Sequence, residues 1–227
     1  MISGFQEAIR LLLTGESGVY TIVSVSIFVA LSATLISSLI GVPLGYLLAT
    51  RQFPGKRLVT TVLNTLLAMP TVVIGLFVYS LISRRGALGF LELLYTPNAM
   101  IIGETILALP IVTAFTLAAV RALDSRITET ALTLGATTIQ TARTLLVEAR
   151  FGIIAAVVAA FGRVIAEVGA AMMLGGNIKG VTRTMTTAIA LESNKGEFGL
   201  AIALGIILLL TAFGANILFH RLQGSDD

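Results

Sequence analysis

The sequence predicts an all-α integral membrane protein with about five transmembrane helices. Three observations carry that prediction. Of 227 residues, 56% are hydrophobic and only 12% are charged, whereas soluble domains run about 45–50% apolar and about 25% charged. Mean hydropathy is +0.97. Five stretches reach the roughly 20 apolar residues needed to cross a bilayer. None alternates apolar with polar residues over about ten positions, as strands of a membrane barrel do. Disorder is excluded, because disordered chains are polar and highly charged. The chain has no cysteine, which excludes disulfide scaffolds, thiolate metal sites and thiol catalysis. A formal charge of +3 calls for no nucleic-acid partner, so the first partner implied is the lipid bilayer.

Residues 1–16 come first. Ile2, Phe5, Ile9 and Leu12 lie three or four apart, with Gln6, Glu7 and Arg10 elsewhere around the helix. That spacing predicts an amphipathic helix in the membrane interface, with a frayed leader as the alternative. A signal peptide is not expected, because no small-residue cleavage site follows a short apolar core. The membrane domain is expected over 17–222, followed by a short tail, 223–227, and no regulatory domain. Its first span lies within 17–50 and carries no charge. The second, 58–83, is also uncharged. The third, 96–120, is broken only by Glu104, and the fourth, 151–174, by Arg163 and Glu167. The fifth is 198–219. Pro43, Pro70 and Pro110 fall inside spans and predict kinks. Gly41 and Gly45 form a GxxxG pair, and Ala155, Ala159 and Arg163 share a small-residue stripe. Such residues let helices approach closely, within one subunit or between two.

Basic residues orient the spans. With an odd number of spans the termini lie on opposite sides. A C-terminus inside places Arg51, Lys56, Arg57, Arg121, Arg126, Arg143, Arg150 and Arg221 in the cytoplasm. Fewer cations lie outside: Arg10, Arg84, Arg85, Lys179, Arg183 and Lys195. The count favours N-terminus outside and C-terminus inside.

The loop 121–150 has no proline and one glycine. Asp124 is a candidate N-cap, 125–134 reads as a short helix, and Gly135 suits a left-handed C-terminal turn. A second short helix follows over 138–147. Helix, turn and helix on the basic side read as a docking surface for a cytoplasmic partner, or as a plain interfacial loop.

Within this loop, Glu129-Thr130-Ala131, three residues, Gly135, nine residues and Leu145-Leu146-Val147 resemble the EAA loop of ABC importer permeases. Three departures stand out. Thr130 replaces the first alanine of the family pattern, Leu145 and Val147 replace Ile and Leu, and Glu148 replaces its proline. Met69-Pro70-Thr71-Val72-Val73-Ile74-Gly75 with Ser83-Arg84-Arg85-Gly86-Ala87-Leu88-Gly89 resembles the second core span and outer loop of molybdate and sulfate permeases. Leu107-Ala108-Leu109-Pro110 resembles their third span, and Arg163 with Glu167-Val168-Gly169 their fourth. Gly175-Gly176-Asn177-Ile178-Lys179-Gly180, Thr182-Arg183 and 185–192 are similar to the tungstate-type permeases. The motifs run in family order over most of the chain.

The resemblance implies a type I importer permease core in a prokaryotic cytoplasmic (inner) membrane. It implies a homodimer, two cytoplasmic ABC ATPase subunits and an extracytoplasmic oxyanion-binding protein. ATP and magnesium belong to the ATPase, and this chain is expected to bind no cofactor or metal. It has no GxxxxGK[ST] motif and no catalytic residues are expected. The coupling helix is implied at Asp124, Ser125, Glu129, Ala131, Leu134, Gly135 and Ala136. The implied cargo is tungstate, with molybdate or sulfate as alternatives. A membrane-embedded enzyme using Glu104, Glu167 and His220 is disfavoured, because no paired carboxylate motif or HExxH exists.

Two further groups are candidate sites. Arg163 and Glu167, four apart, share one helix face. Ionisable groups inside a bilayer face a bundle interior or hydrated cavity. Together with Gly169, Gly175, Gly176, Asn177 and Thr186 they are candidates for the translocation path or gate. The alternative is a structural lock in which the pair neutralises itself. Glu104 has no local partner and is expected to bond a donor on another span. Outside, Arg84, Arg85, Lys179 and Arg183 are candidates for an electropositive mouth that attracts an oxyanion or an acidic protein surface. The backbone amides of Gly175, Gly176 and Asn177 are a candidate anion cradle. Solvated loop residues are the plain alternative.

Overall fold

A computed structural model of the chain describes residues 17–223. The interfacial helix expected over 1–16 lies outside the described residues. So do the last four residues of the tail and the side chain of His220. The described chain is helical, with a single 3-10 turn at Gly89–Leu91. The helices are α1 (Ser17–Thr50), α2 (Lys56–Leu67), α3 (Thr71–Ile82), α4 (Pro97–Arg121), α5 (Ser125–Thr133), α6 (Thr138–Glu148), α7 (Arg150–Ile165), α8 (Gly169–Gly175), α9 (Met185–Lys195) and α10 (Phe198–Gln223).

Three helices are long and apolar enough to cross a membrane: Gly18–Thr50, Pro97–Arg121 and Phe198–Leu218. They match the first, third and fifth expected spans. The second and fourth are corrected. The segment 58–83 is not one helix: α2 and α3 meet at a bend of 104°. Pro70 is the cause. It lacks an N–H, and its ring pushes the preceding Met69 away from helical geometry. Pro70 itself is extended (φ −61°, ψ 129°) and precedes the first residue of α3. The segment 151–174 ends as a helix at Ile165 and resumes only at Gly169. At 16 residues, α7 is about 24 Å long. Instead of extending towards 174, it continues backwards into α6 through a 66° bend. Counting each bent pair as one span gives up to five crossings.

The long helices α1 and α4 form the spine and pack most extensively against each other. Close approach comes from the GxxxG pair. A Cβ on Gly41 would meet Val112 at 3.0 Å, and one on Gly45 would meet the Thr113 carbonyl oxygen at 2.7 Å. The pair therefore packs within one subunit. Around this spine, Ile22, Ala33, Val112, Val164, Met185 and Leu204 form one core that joins α1, α4, α7, α9 and α10. Val29, Val78, Met100, Leu107, Ala171 and Leu174 form a second core that joins α1, α3, α4 and α8. Large apolar side chains remain on the outside, among them Phe28, Leu39, Phe77, Leu209 and Phe213. That distribution suits a lipid solvent, where apolar exposure carries no penalty.

The loop between α4 and α7 folds as its pattern predicts. Asp124 caps α5 by accepting from the Arg126 backbone N–H at 2.9 Å. Gly135 has φ +80°, the left-handed conformation that glycine takes without strain. Thr137 and Gln140 close a reciprocal capping box at the start of α6, which satisfies two free amides at once.

Candidate functional site

The break between α7 and α8 is organised by Glu167, which is 3% exposed. Its Oε2 accepts from Arg163 Nη1 at 2.9 Å, and its Oε1 accepts from the Ala170 backbone N–H at 3.0 Å. Its carbonyl oxygen accepts from Thr186 Oγ1 at 2.6 Å. One residue thus ties the end of α7, the first turn of α8 and the first turn of α9. The carboxylate takes an amide that the helix itself leaves free. Arg163 is different: its side chain is 43% exposed. Ala159 and Ala166 are exposed beside it on the same face. Glu104 on α4 is 3% exposed. It makes no hydrogen bond among the described residues; the donor expected on another span is not there.

Glycines let α8 wedge between its neighbours. A Cβ on Gly75 of α3 would lie 3.0 Å from Ala170 Cα, and one on Gly103 of α4 would strike Leu174. One on Gly169 would lie 2.9 Å from Val72. Beyond α8 the chain reverses through Gly176 and Asn177, at φ +69° and +51°. The turn is closed internally. Thr182 Oγ1 donates to the Gly175 carbonyl and accepts from the Ile178 amide at 3.0 Å. The Gly176 amide donates to Met172, so it is not free for an anion. Met185 N–H donates to Ser26 Oγ at 2.7 Å, pinning the start of α9 to α1. No local signal in the sequence identifies Ser26, because its partner lies 159 residues away.

The four candidate mouth cations do not share one cavity. Arg84 and Arg85 line a cavity of about 580 Å³ with Tyr79, Glu92 and Tyr95. Lys179 and Arg183 line another, of about 500 Å³, with Gly18, Ile22, Glu192 and Lys195. Arg183 is engaged: Nε donates to Asn177 Oδ1 at 3.2 Å, and Nη1 lies 3.8 Å from Glu192. Glu192 also takes Lys195 at 3.2 Å. Lys179 is exposed and makes no such bond among the described residues.

At the opposite end of α1 and α4, the α5–α6 hairpin presents its surface. Asp124, Ser125, Glu129 and Gly135 are exposed, and Ala131 and Ala136 are half-buried. Leu134 is 83% exposed and Ile139 82%. Leu134 lines an open groove with Ile127, Thr130 and Ala131. The Arg126 guanidinium, helped by the Arg126 amide, holds the Asp124 carboxyl below the usual carboxylate range. Ile139, in the first turn of α6, is exposed on the same hairpin, although the motif does not single it out.

A family model described as the inner membrane component of binding-protein-dependent transport systems matches residues 41–224. The chain is 41% identical over 220 residues to the tungstate uptake system permease protein of Peptoclostridium acidaminophilum, covering 97% of this chain and 96% of that one. It is 40% identical over 231 residues to the tungstate uptake system permease protein of Campylobacter jejuni, covering 98% and 93%. Among solved structures, the methionine ABC transporter MetNI in an inward-facing conformation aligns with a TM-score of 0.68. That alignment is 19% identical and covers 86% of this chain and 92% of that one.

Proposed function

The chain belongs to the family of inner membrane components of binding-protein-dependent transport systems, and from that premise we propose that it carries tungstate into the cytoplasm. It is the membrane-spanning permease subunit of an ATP-driven ABC importer and is not itself an enzyme. The observation that carries the substrate is the 40–41% identity to two tungstate uptake permeases over nearly the whole chain.

The working assembly is a homodimer with two cytoplasmic ATPase subunits and an extracytoplasmic oxyanion-binding protein. ATP and magnesium bind to the ATPases, not to this chain. The N-terminus lies outside and the C-terminus inside. The excess of basic residues at the α5–α6 end supports that orientation. Leu134, more than four-fifths exposed in a groove that Ile127, Ala131 and Ala136 also line, supports docking of the ATPase there, because an apolar surface rimmed by polar residues marks a contact site. Asp124, Ser125, Glu129, Ala131, Gly135 and Ala136 frame that contact.

Arg163 faces the path. A half-exposed cation within a spanning segment cannot sit cheaply against lipid. It spends one donor on Glu167 and keeps the others for a passing dianion, while Glu167, Gly169 and Thr186 fix its position. Gly175, Gly176 and Asn177 form the hinge that supports this gate. Arg84, Arg85, Lys179 and the paired Arg183 give the outer surface a positive field suited to an oxyanion or an acidic binding-protein lobe.

The test is ATP hydrolysis in liposomes holding the chain with its ATPase. Binding protein loaded with tungstate should raise the rate over empty binding protein. Stimulation by molybdate- or sulfate-loaded binding protein alone would move the substrate; absence of any stimulation from an assembled complex would overturn the importer assignment.

A further inference from the structure

The helix α2 is amphipathic along its whole length. Leu58, Val59, Val62, Leu63, Leu66 and Leu67 fall on one face. Arg57, Thr60, Thr61, Asn64 and Thr65 fall on the other, and Lys56 lies at the edge of the apolar face between Leu63 and Leu67. None of its residues is buried. The hydroxyls of Thr60, Thr61 and Thr65 are satisfied by carbonyls one turn back, so that face needs little water. Between α2, α1 and α4 lies a groove of about 430 Å³ whose wall is almost wholly apolar, including Leu47, Leu63, Leu66, Ile106 and Leu109.

Cations stand at one end of this groove. Arg51 continues the face of α1 that carries the lining residues Leu44, Leu47 and Leu48, and Lys56 shares the face of α2 that carries the lining residues Val59 and Leu63, whereas Arg57 lies on the polar face, turned away from the groove. The turn that brings them together is closed by Gly55 at φ +86° and by Lys56 Nζ donating to the Arg51 carbonyl at 2.7 Å. Residues 17–91 contain no acidic residue, and neither Arg51, Lys56 nor Arg57 pairs with a carboxylate among the described residues. The one acidic side chain near Arg51, Asp124, is already paired with Arg126 at 2.7 Å.

We infer that this groove is a binding site for one anionic phospholipid. An acyl chain fills the apolar groove, and the headgroup phosphate is held by Arg51 and Lys56, with Arg57 adding only to the local positive field. A basic amphipathic helix beside a spanning helix is the arrangement that recognises anionic headgroups. Charge complementarity selects the occupant: a second copy of this chain would have to bring carboxylates to two unpaired cations at the groove, whereas an anionic lipid brings a phosphate and a chain together.

The experiment is native mass spectrometry of the purified full-length chain after delipidation, with titration of phosphatidylglycerol or phosphatidylcholine. One phosphatidylglycerol should bind per chain and be retained preferentially. Each surface cation adds about 1 kcal/mol of attraction, which corresponds to about fivefold. The double variant Arg51→Gln with Lys56→Gln should therefore weaken phosphatidylglycerol binding on the order of 30-fold and leave phosphatidylcholine unchanged. Leu63→Trp, which fills the groove without touching charge, should reduce retention of both lipids. Equal retention of the two lipids by the native chain would overturn the proposal, as would unchanged phosphatidylglycerol affinity in the double variant. The chain has no native cysteine, so Val59→Cys gives a clean cross-linking probe. A disulfide between two copies in membranes would assign the groove to a subunit contact instead and overturn the lipid site.

Discussion

Replacing Gly45 with alanine tests the packing of the spine. A Cβ there would lie 2.7 Å from the Thr113 carbonyl oxygen, 2.7 Å from Thr116 Cβ and 3.0 Å from the Leu117 nitrogen. Comfortable contacts between heavy atoms lie at about 3.5–4.0 Å. Two of the three obstructing atoms are backbone of α4, which cannot rotate away, so α1 must retreat by a large part of an ångström. Overpacking of this kind costs about 1–3 kcal/mol, and rigid neighbours place it in the upper part of that range. Alanine regains up to about 1 kcal/mol of helix propensity. The net loss is about 1–2 kcal/mol, or about 2–8 °C in Tm for a chain of this size. Gly205, inside α10, has nothing within 4 Å of its Cβ position, so Gly205→Ala should hold or raise Tm by the same propensity gain. Thermal unfolding in one detergent, read by light scattering or intrinsic tyrosine fluorescence, compares the two. A Gly45→Ala variant as stable as Gly205→Ala would refute the close α1–α4 contact. Reduced dimerisation at unchanged Tm would move the glycine pair to a subunit interface.

Glu167→Gln keeps an acceptor for the Ala170 amide but removes the charge that holds Arg163. Tungstate-coupled ATPase should fall, and stability should drop by about 1–3 kcal/mol, less than for a fully buried pair because Arg163 is partly solvated; unchanged coupling would place the pair outside the gate. Gly135→Trp forces a bulky side chain into φ +80°, at a strain of about 1–2 kcal/mol, and places it beside Leu134. Membrane insertion should be intact and ATPase docking lost, and normal uptake would contradict the docking surface. The cap at Asp124 has a depressed carboxyl pKa through Arg126. Its stabilisation is therefore full above the unfolded value near 3.9 and is lost as pH falls through the lower folded value. Amide exchange in the first turn of α5 should stay protected from neutral pH down to about 4 and rise only in stronger acid; loss of protection between pH 7 and 5 would show that another group caps the helix.

Much was legible in the sequence where the signal is local. Apolar length, interrupted only by Glu104 in α4, identifies α1, α4 and α10, because in lipid a helix must satisfy its own backbone. Asp124, Gly135 and the two short helices of the loop follow from capping chemistry within a few residues. The Arg163–Glu167 pair follows from spacing alone, since positions four apart share a helix face. The family motifs were legible in the same way.

Only the tertiary structure decided the rest. Apolar content reads 58–83 and 151–174 as continuous spans; Pro70 gives the bend in the first locally, as its kink predicts, but the break in the second is satisfied by distant partners that composition cannot show. The α7–α8 break exists because Glu167 takes the Ala170 amide and Thr186 closes on the Glu167 carbonyl, the second across 19 residues. Whether Gly41 and Gly45 face their own chain or another depends on where α4 lies. Whether Arg183 is free depends on Glu192. Sequence sets which groups need partners; the packing of helices far apart in the chain determines which partner each group finds, and so which charges stay available for function.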